Sequence, residues 1–259
     1  MTEEKQQPNA TAIRLNLGLL WFSKNWLPVI LVFLGIFVSL PFVAPTLMHL
    51  GYERAGNAIY IMYKPFCHQF GFRSFFLYGE QSFYPRENTG TDLVSYEAMI
   101  ERTRPPQFDN VADLYAQSSD DPVELRSWLN LQWAAREFVG NDVMGYKVTV
   151  CGRDMSIYLA LWLGGALYWP FRRRVRPVPI WLWLFLGIGP IGIDGFSQLL
   201  SYPPAEWWPV RETLPMFRVL TGATFGFMNA WLGFPYLDMS FKETQWEIER
   251  KLYRAGIKY

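Results

Sequence analysis

From Trp26 to Met48 the chain reads WLPVILVFLGIFVSLPFVAPTLM without a single charge. At about 1.5 Å per helical residue, a run of this kind crosses a hydrocarbon core of about 30 Å. In lipid every backbone polar group must be satisfied inside the segment, so the run predicts a helix. Pro28, Pro41 and Pro45 would bend it or end it early, which neighbouring helices or water can accommodate. Three further apolar stretches follow: Met155–Phe171, stopped by RRRVR at 172–176, then Val178–Leu200 and Phe217–Leu237. Trp21, Trp26, Trp169, Trp181, Trp207 and Trp208 lie near the proposed ends, where amphipathic rings prefer to sit. The expectation is an all-α membrane protein with four transmembrane helices.

Charge orients these helices. Lys5, Arg14 and Lys24, four arginines at 172–176 and five basic residues after Asp238 fall on one side, against Arg211 alone in the short loop 201–216. The positive-inside rule then places both termini inside, which needs an even number of spans, here four. No short apolar core with a cleavage site follows the polar start Met1–Ala12, so the first apolar segment reads as a retained helix. The expected organisation is a tail and first span over 1–50 (span 26–48) and an outer segment over 51–153. Spans at 155–171, 178–200 and 217–237 follow within 154–238, and an amphipathic inner tail covers 239–259. The expected location is the plasma (inner) membrane of a prokaryote. A net charge of +1 gives no general attraction for nucleic acid, so none is expected as a partner. Two cysteines and two histidines exclude iron–sulfur clusters and disulfide-dense scaffolds.

The outer segment is polar in its middle: Glu80–Asp142 holds 12 acidic and 5 basic residues. Asp120-Asp121-Pro122 with Glu124 predicts a capped helix start, and Leu125, Trp128, Leu129, Gln132 and Ala135 keep helical spacing after it. Thr91–Thr103 predicts a shorter helix. Arg73–Tyr78 and Tyr146–Val150 are β-rich and could pair as a small hairpin, with the acidic insertion (about 80–143) at its tip. Residues 51–66, with Ala55, Ile59, Met62, Tyr63 and Phe66 on one side, predict a helix lying in the membrane interface.

This topology gathers scattered reactive residues into one outer layer. Cys67 and His68 follow the interfacial helix, and Cys151, Arg153 and Asp154 stand where the second span begins. Asp194 and Gln198 lie about 24 and 30 Å along the third span from its inner start. Arg218 and Thr221 open the fourth span. Ionisable groups at membrane depth are costly, and each calls for a partner. For Asp194 the expected cations are Arg218 and Arg153, either as a structural pair or around a site. Cys67, His68, Cys151 and Asp154 fit zinc or another transition metal, whereas Cys67–Cys151 alone fits a disulfide on an oxidising side. A reactive thiol is the third reading. Small residues in LGG (163–165) and GATFG (222–226) indicate close helix packing.

YIMYKPFCHQFGFRSFFLYGEQ, VCGRDMSIYLALWLGG, IGIDGFSQLL and RVLTGATFG together resemble a prokaryotic family of predicted multi-pass membrane proteins of unknown function. Its pattern runs Cys-His-Gln, Arg-Ser-Phe-Phe, Cys-x-Arg-Cys, Ile-Asp-Gly and Thr-Gly. Carried over, it falls on Cys67, His68, Arg73, Cys151, Arg153, Asp194 and Thr221. Two departures stand out: Asp154 replaces the last cysteine, and an insertion of some 60 residues separates the cysteine pieces. The resemblance implies the topology and the site's location, and no activity. Two functions stay open. One is an outward-facing metal or thiol site, with catalysis undecided. The other is an accessory subunit that docks to a larger membrane complex through residues 80–143, with Tyr96, Tyr115, Trp128 and Trp133 as anchors.

Overall fold

The computed structural model describes residues 10–109, 111 and 125–257. It is mostly helical, with one small sheet. Helix α1 (Ala10–His49) starts well before the apolar run and keeps its three prolines inside. Helix α2 (Glu53–Tyr63) follows a turn at Gly51, whose φ of +82 suits glycine. Strand β1 (Ser74–Leu77) leads to α3 (Tyr96–Thr103), where Ser95 caps the helix by accepting from the Ala98 N–H. Helix α4 (Leu125–Glu137), strands β2 (Gly140–Asn141) and β3 (Gly145–Cys151), and helix α5 (Gly152–Phe171) come next. Helix α6 (Ile180–Leu199) contains a π-helical stretch over Trp183–Ile188, and α7 (Pro215–Arg254) closes the chain.

The two β-rich pieces do pair. β1 runs antiparallel to β3, with Ser74 opposite Cys151, and β2 adds a third strand on the far side of β3. The predicted helix start at Asp120–Glu124 lies outside the described residues, as does Tyr115. Tyr96, Ile100, Leu131 and Phe138 of the insertion build an aromatic core together with Phe72 and Phe76 at the start of the sheet. Tyr96 sits in that core, and Trp128 is buried against Tyr202 at 4.4 Å between ring centroids. Neither ring is free to anchor a partner, which corrects that expectation; Trp133 remains exposed.

Two helices among the described residues are long and apolar enough to cross a membrane, α1 and α6. In α6 only 6% of the apolar window is buried, so most of its apolar side chains are exposed or only partly covered. Helices α5 and α7, expected as the second and fourth spans, fall short by that measure. Both bring charge into an end of the apolar run, at Arg153 and Asp154 and at Arg218. These two helices pack tightly through small residues. A Cβ on Gly226 would stand 2.2 Å from the Ile157 carbonyl oxygen, and one on Gly164 would stand 2.5 Å from Ala230 Cβ. The tail predicted as a separate amphipathic helix is continuous with α7, and Ile248 and Leu252 pack on Leu20 of α1.

Candidate functional site

Three chain segments converge at the end of β3. The loop after α2 carries Cys67, β3 ends on Cys151, and Asp154 lies in the first turn of α5. Each offers one ligand atom, and these atoms all lie within 4.8 Å of one another. Both cysteines are buried free thiols, enclosed by Val38, Tyr63, Val148, Val150 and Met155. Cys67 Sγ accepts from the Cys151 N–H at 3.1 Å and the Gln69 N–H at 3.4 Å. The closeness of the two sulfurs draws Cys151 below its ordinary thiol range and, together with burial, pushes Cys67 well above it.

The loop is held by an unusual buried lysine. Lys147 Nζ donates to the carbonyls of Gln69 (2.7 Å), Arg136 (2.7 Å) and Ala135 (3.1 Å), tying the cysteine loop to the end of α4. Burial draws its ammonium down to about 7. Gln69 itself has φ +59, rare for a residue with a Cβ, and its amide donates to the Tyr60 carbonyl at 2.8 Å. His68 stands outside the trio, exposed, with its ring 5.4 Å from that of Phe70. It lines a cavity of about 330 Å³ together with Lys64, Phe66, Cys67, Arg136 and Asp154.

Beside this centre lie two carboxylates of a different kind. Glu212 accepts from Arg73 Nη2 at 2.6 Å, Gln198 Nε2 at 2.6 Å and Tyr202 Oη at 2.7 Å, and pairs with Arg218. Burial alone would raise its pKa, but Arg73 and Arg218 outweigh that and hold it down to about 2. Asp194 pairs with Arg153, accepts from Arg211 Nη2 at 3.1 Å, and takes the Thr213 hydroxyl at 2.8 and 2.9 Å.

Of the residues singled out from sequence, Cys67, Cys151 and Asp154 meet in one cluster, and Arg73, Gln198 and Arg218 meet at Glu212. Arg153 reaches Asp194 as expected, whereas Arg218 turns to Glu212. Thr221 stays within its own helix, its hydroxyl bonded to the Phe217 and Arg218 carbonyls. Glu212, Tyr202, Arg211, Thr213 and Lys147 were not singled out. The first four sit in an irregular loop that carries no periodicity; Lys147 lies in an alternating strand, where its polarity suggests a solvent face.

The frame is therefore a helical protein with membrane-length helices and a Cys/Asp cluster at a strand–helix junction. A protein-family profile described as "Predicted membrane protein (DUF2085)" matches residues 136–232, the stretch from the end of α4 into α7. The chain is also similar to an archaeal protein from Methanocaldococcus jannaschii, "Uncharacterized protein MJ1492". The two are 27% identical over 104 residues, 39% of this chain and 61% of the relative. The matched region thus spans less than two thirds of that relative's length. No solved structure matches.

Proposed function

We propose that this chain is a multi-pass protein of a prokaryotic inner membrane whose outer face carries a transition-metal site, with zinc the best fit. In this reading α1, α5, α6 and the first half of α7 span the bilayer, both termini lie inside, and the β-sheet and insertion lie outside. The site consists of Cys67, Cys151 and Asp154. The observation that carries it is the approach of two sulfurs and a carboxylate to within 4.8 Å of one another. Tetrahedral zinc with ligands at about 2.0–2.3 Å puts its donors roughly 3.3–3.8 Å apart, so closure needs at most about 1.5 Å of movement. Two thiolates and one carboxylate suit a borderline-soft ion, and three protein ligands leave a fourth position open. Cys67 and Asp154 also line the cavity that holds His68, from which a fourth ligand would enter.

The test is metal analysis of the natively purified protein. About one zinc per chain is expected, lost in Cys67→Ser, Cys151→Ser and Asp154→Asn and kept in Asp194→Asn. Wild-type protein without a transition metal, or metal retained by all three ligand variants, would sink the reading. The same closeness of the two sulfurs favours one rival, a Cys67–Cys151 disulfide that staples the sheet to the loop after α2.

A further inference from the structure

The cavity in front of Cys67 and Asp154 joins two environments. Lys64, His68 and Arg136 give it a cationic and ring-nitrogen lining. Phe66 lines it too, is about half exposed, and meets Phe37 of α1 edge-on at 5.2 Å between centroids. On the preceding turn Ile61 and Met62 are exposed as well. The cavity mouth therefore adjoins an apolar surface continuous with the first membrane helix.

With a metal bound the charges around it favour an anion: zinc with two thiolates and Asp154 carries one net negative charge, which Lys64, Arg136 and the arginines behind the floor outnumber. Arg136 has no carboxylate partner among the described residues; its guanidinium lies 5.6 Å over the Trp133 ring, and its Nε is buried without a hydrogen bond. Lys64 pairs with Glu137 at 2.9 Å, but Glu137 is exposed and Lys64 only half-buried, so a stronger anion can displace that partner. Behind the floor, among the described residues, the ion pairs of Arg73, Arg153, Arg211 and Arg218 are with Glu212 and Asp194, four cations to two carboxylates. The volume, about 330 Å³, lies at the small end of ligand cavities.

We infer that this cavity binds the phosphate-monoester headgroup of an anionic membrane lipid, whose acyl chains stay in the bilayer beside Phe66, Ile61 and Met62. The metal takes one phosphate oxygen, and Arg136 and Lys64 take the others, Arg136 with the planar fork that suits phosphate. The inference rests on the metal reading above, since the metal supplies the coordination position that takes a phosphate oxygen.

The experiment is calorimetric titration of the zinc-loaded full chain in neutral detergent with dihexanoyl phosphatidate, inorganic phosphate and dihexanoyl phosphatidylcholine. Zinc content is measured on every sample. Phosphatidate should bind at least about tenfold more tightly than either control, and Arg136→Gln should weaken it about tenfold with zinc unchanged, the loss of one charged hydrogen-bonding partner. Lys64→Gln should weaken it less, because Lys64 already shares its charge with Glu137. Equal binding of phosphate and phosphatidate would overturn the lipid assignment in favour of a free anion. Zinc-bound protein indifferent to Arg136→Gln would overturn the cavity assignment while leaving the metal site standing. Wild-type protein that takes up no zinc would overturn both.

Discussion

Glu212 and Asp154 sit close to the same arginine layer, yet their surroundings differ in kind. Glu212 is saturated: two arginines, a glutamine and a tyrosine occupy its oxygens, and it is buried. Asp194 is nearly as well served, by two arginines and a threonine. Asp154 makes no ion pair among the described residues; two thiols lie within ligand distance of it, and it lines a cavity shared with His68, Lys64 and Arg136. A carboxylate whose bonds are all made within the protein ties helices together and has little left for a ligand. One flanked by sulfurs and open to a cavity has acceptor capacity to spare. Under the proposed reading, the Glu212 and Asp194 hubs are structural and the Cys67–Cys151–Asp154 cluster is the candidate place for chemistry.

The sharpest way to break this comparison is Glu212→Gln. Removing that charge leaves Arg73 and Arg218 buried and uncompensated, and should cost about 3–5 kcal/mol of stability by equilibrium unfolding in detergent. A loss under about 1 kcal/mol would mean the hub is not structural. Acid should do the same gradually. The Glu212 pKa falls from 4.5 to about 2 on folding, so its stabilisation is complete above about 4.5 and lost as pH drops toward about 2. A stability profile flat across that window in the wild type, or an unchanged acid limb in Glu212→Gln, would contradict the assignment.

Asp194→Asn should cost less, about 1–3 kcal/mol, because Arg211 is 42% exposed at its side chain and can turn to water. Asp154→Asn should cost least. In metal-free protein it should change stability by no more than about 1 kcal/mol, while abolishing metal uptake. A variant at Asp154 that unfolds the apo-protein as strongly as one at Glu212 would erase the difference between the two centres.

Hydropathy located the apolar stretches but not the helix ends. α1 begins at Ala10, some sixteen residues before the apolar run, and α7 continues to Arg254 through a polar tail. Hydropathy marks what suits lipid, whereas helix ends follow backbone bonding and packing, such as that of Leu20 on Leu252. The β1–β3 pairing was legible because β-branched and aromatic residues cluster at 73–78 and 146–150, and it is this pairing that brings Cys151 beside the chain leading from Cys67. Asp194 was legible as a charge at membrane depth, and Arg153 as its partner. Glu212 was not, since an acid in a polar loop reads as solvated until the loop folds back over Arg73 and Arg218. Lys147 was hidden for a related reason: its three acceptors are main-chain carbonyls from two distant segments, which no side-chain pattern reveals.

The central claim is that Cys67 and Cys151 are thiol ligands held ready beside an open carboxylate. The most direct test is the intact mass of the protein, denatured with an alkylating agent and without reductant. The account predicts two added labels, one on each free cysteine. A mass with no label and two protons light would show the sulfurs joined, leaving Asp154 without its thiol partners and the cluster a staple rather than a site.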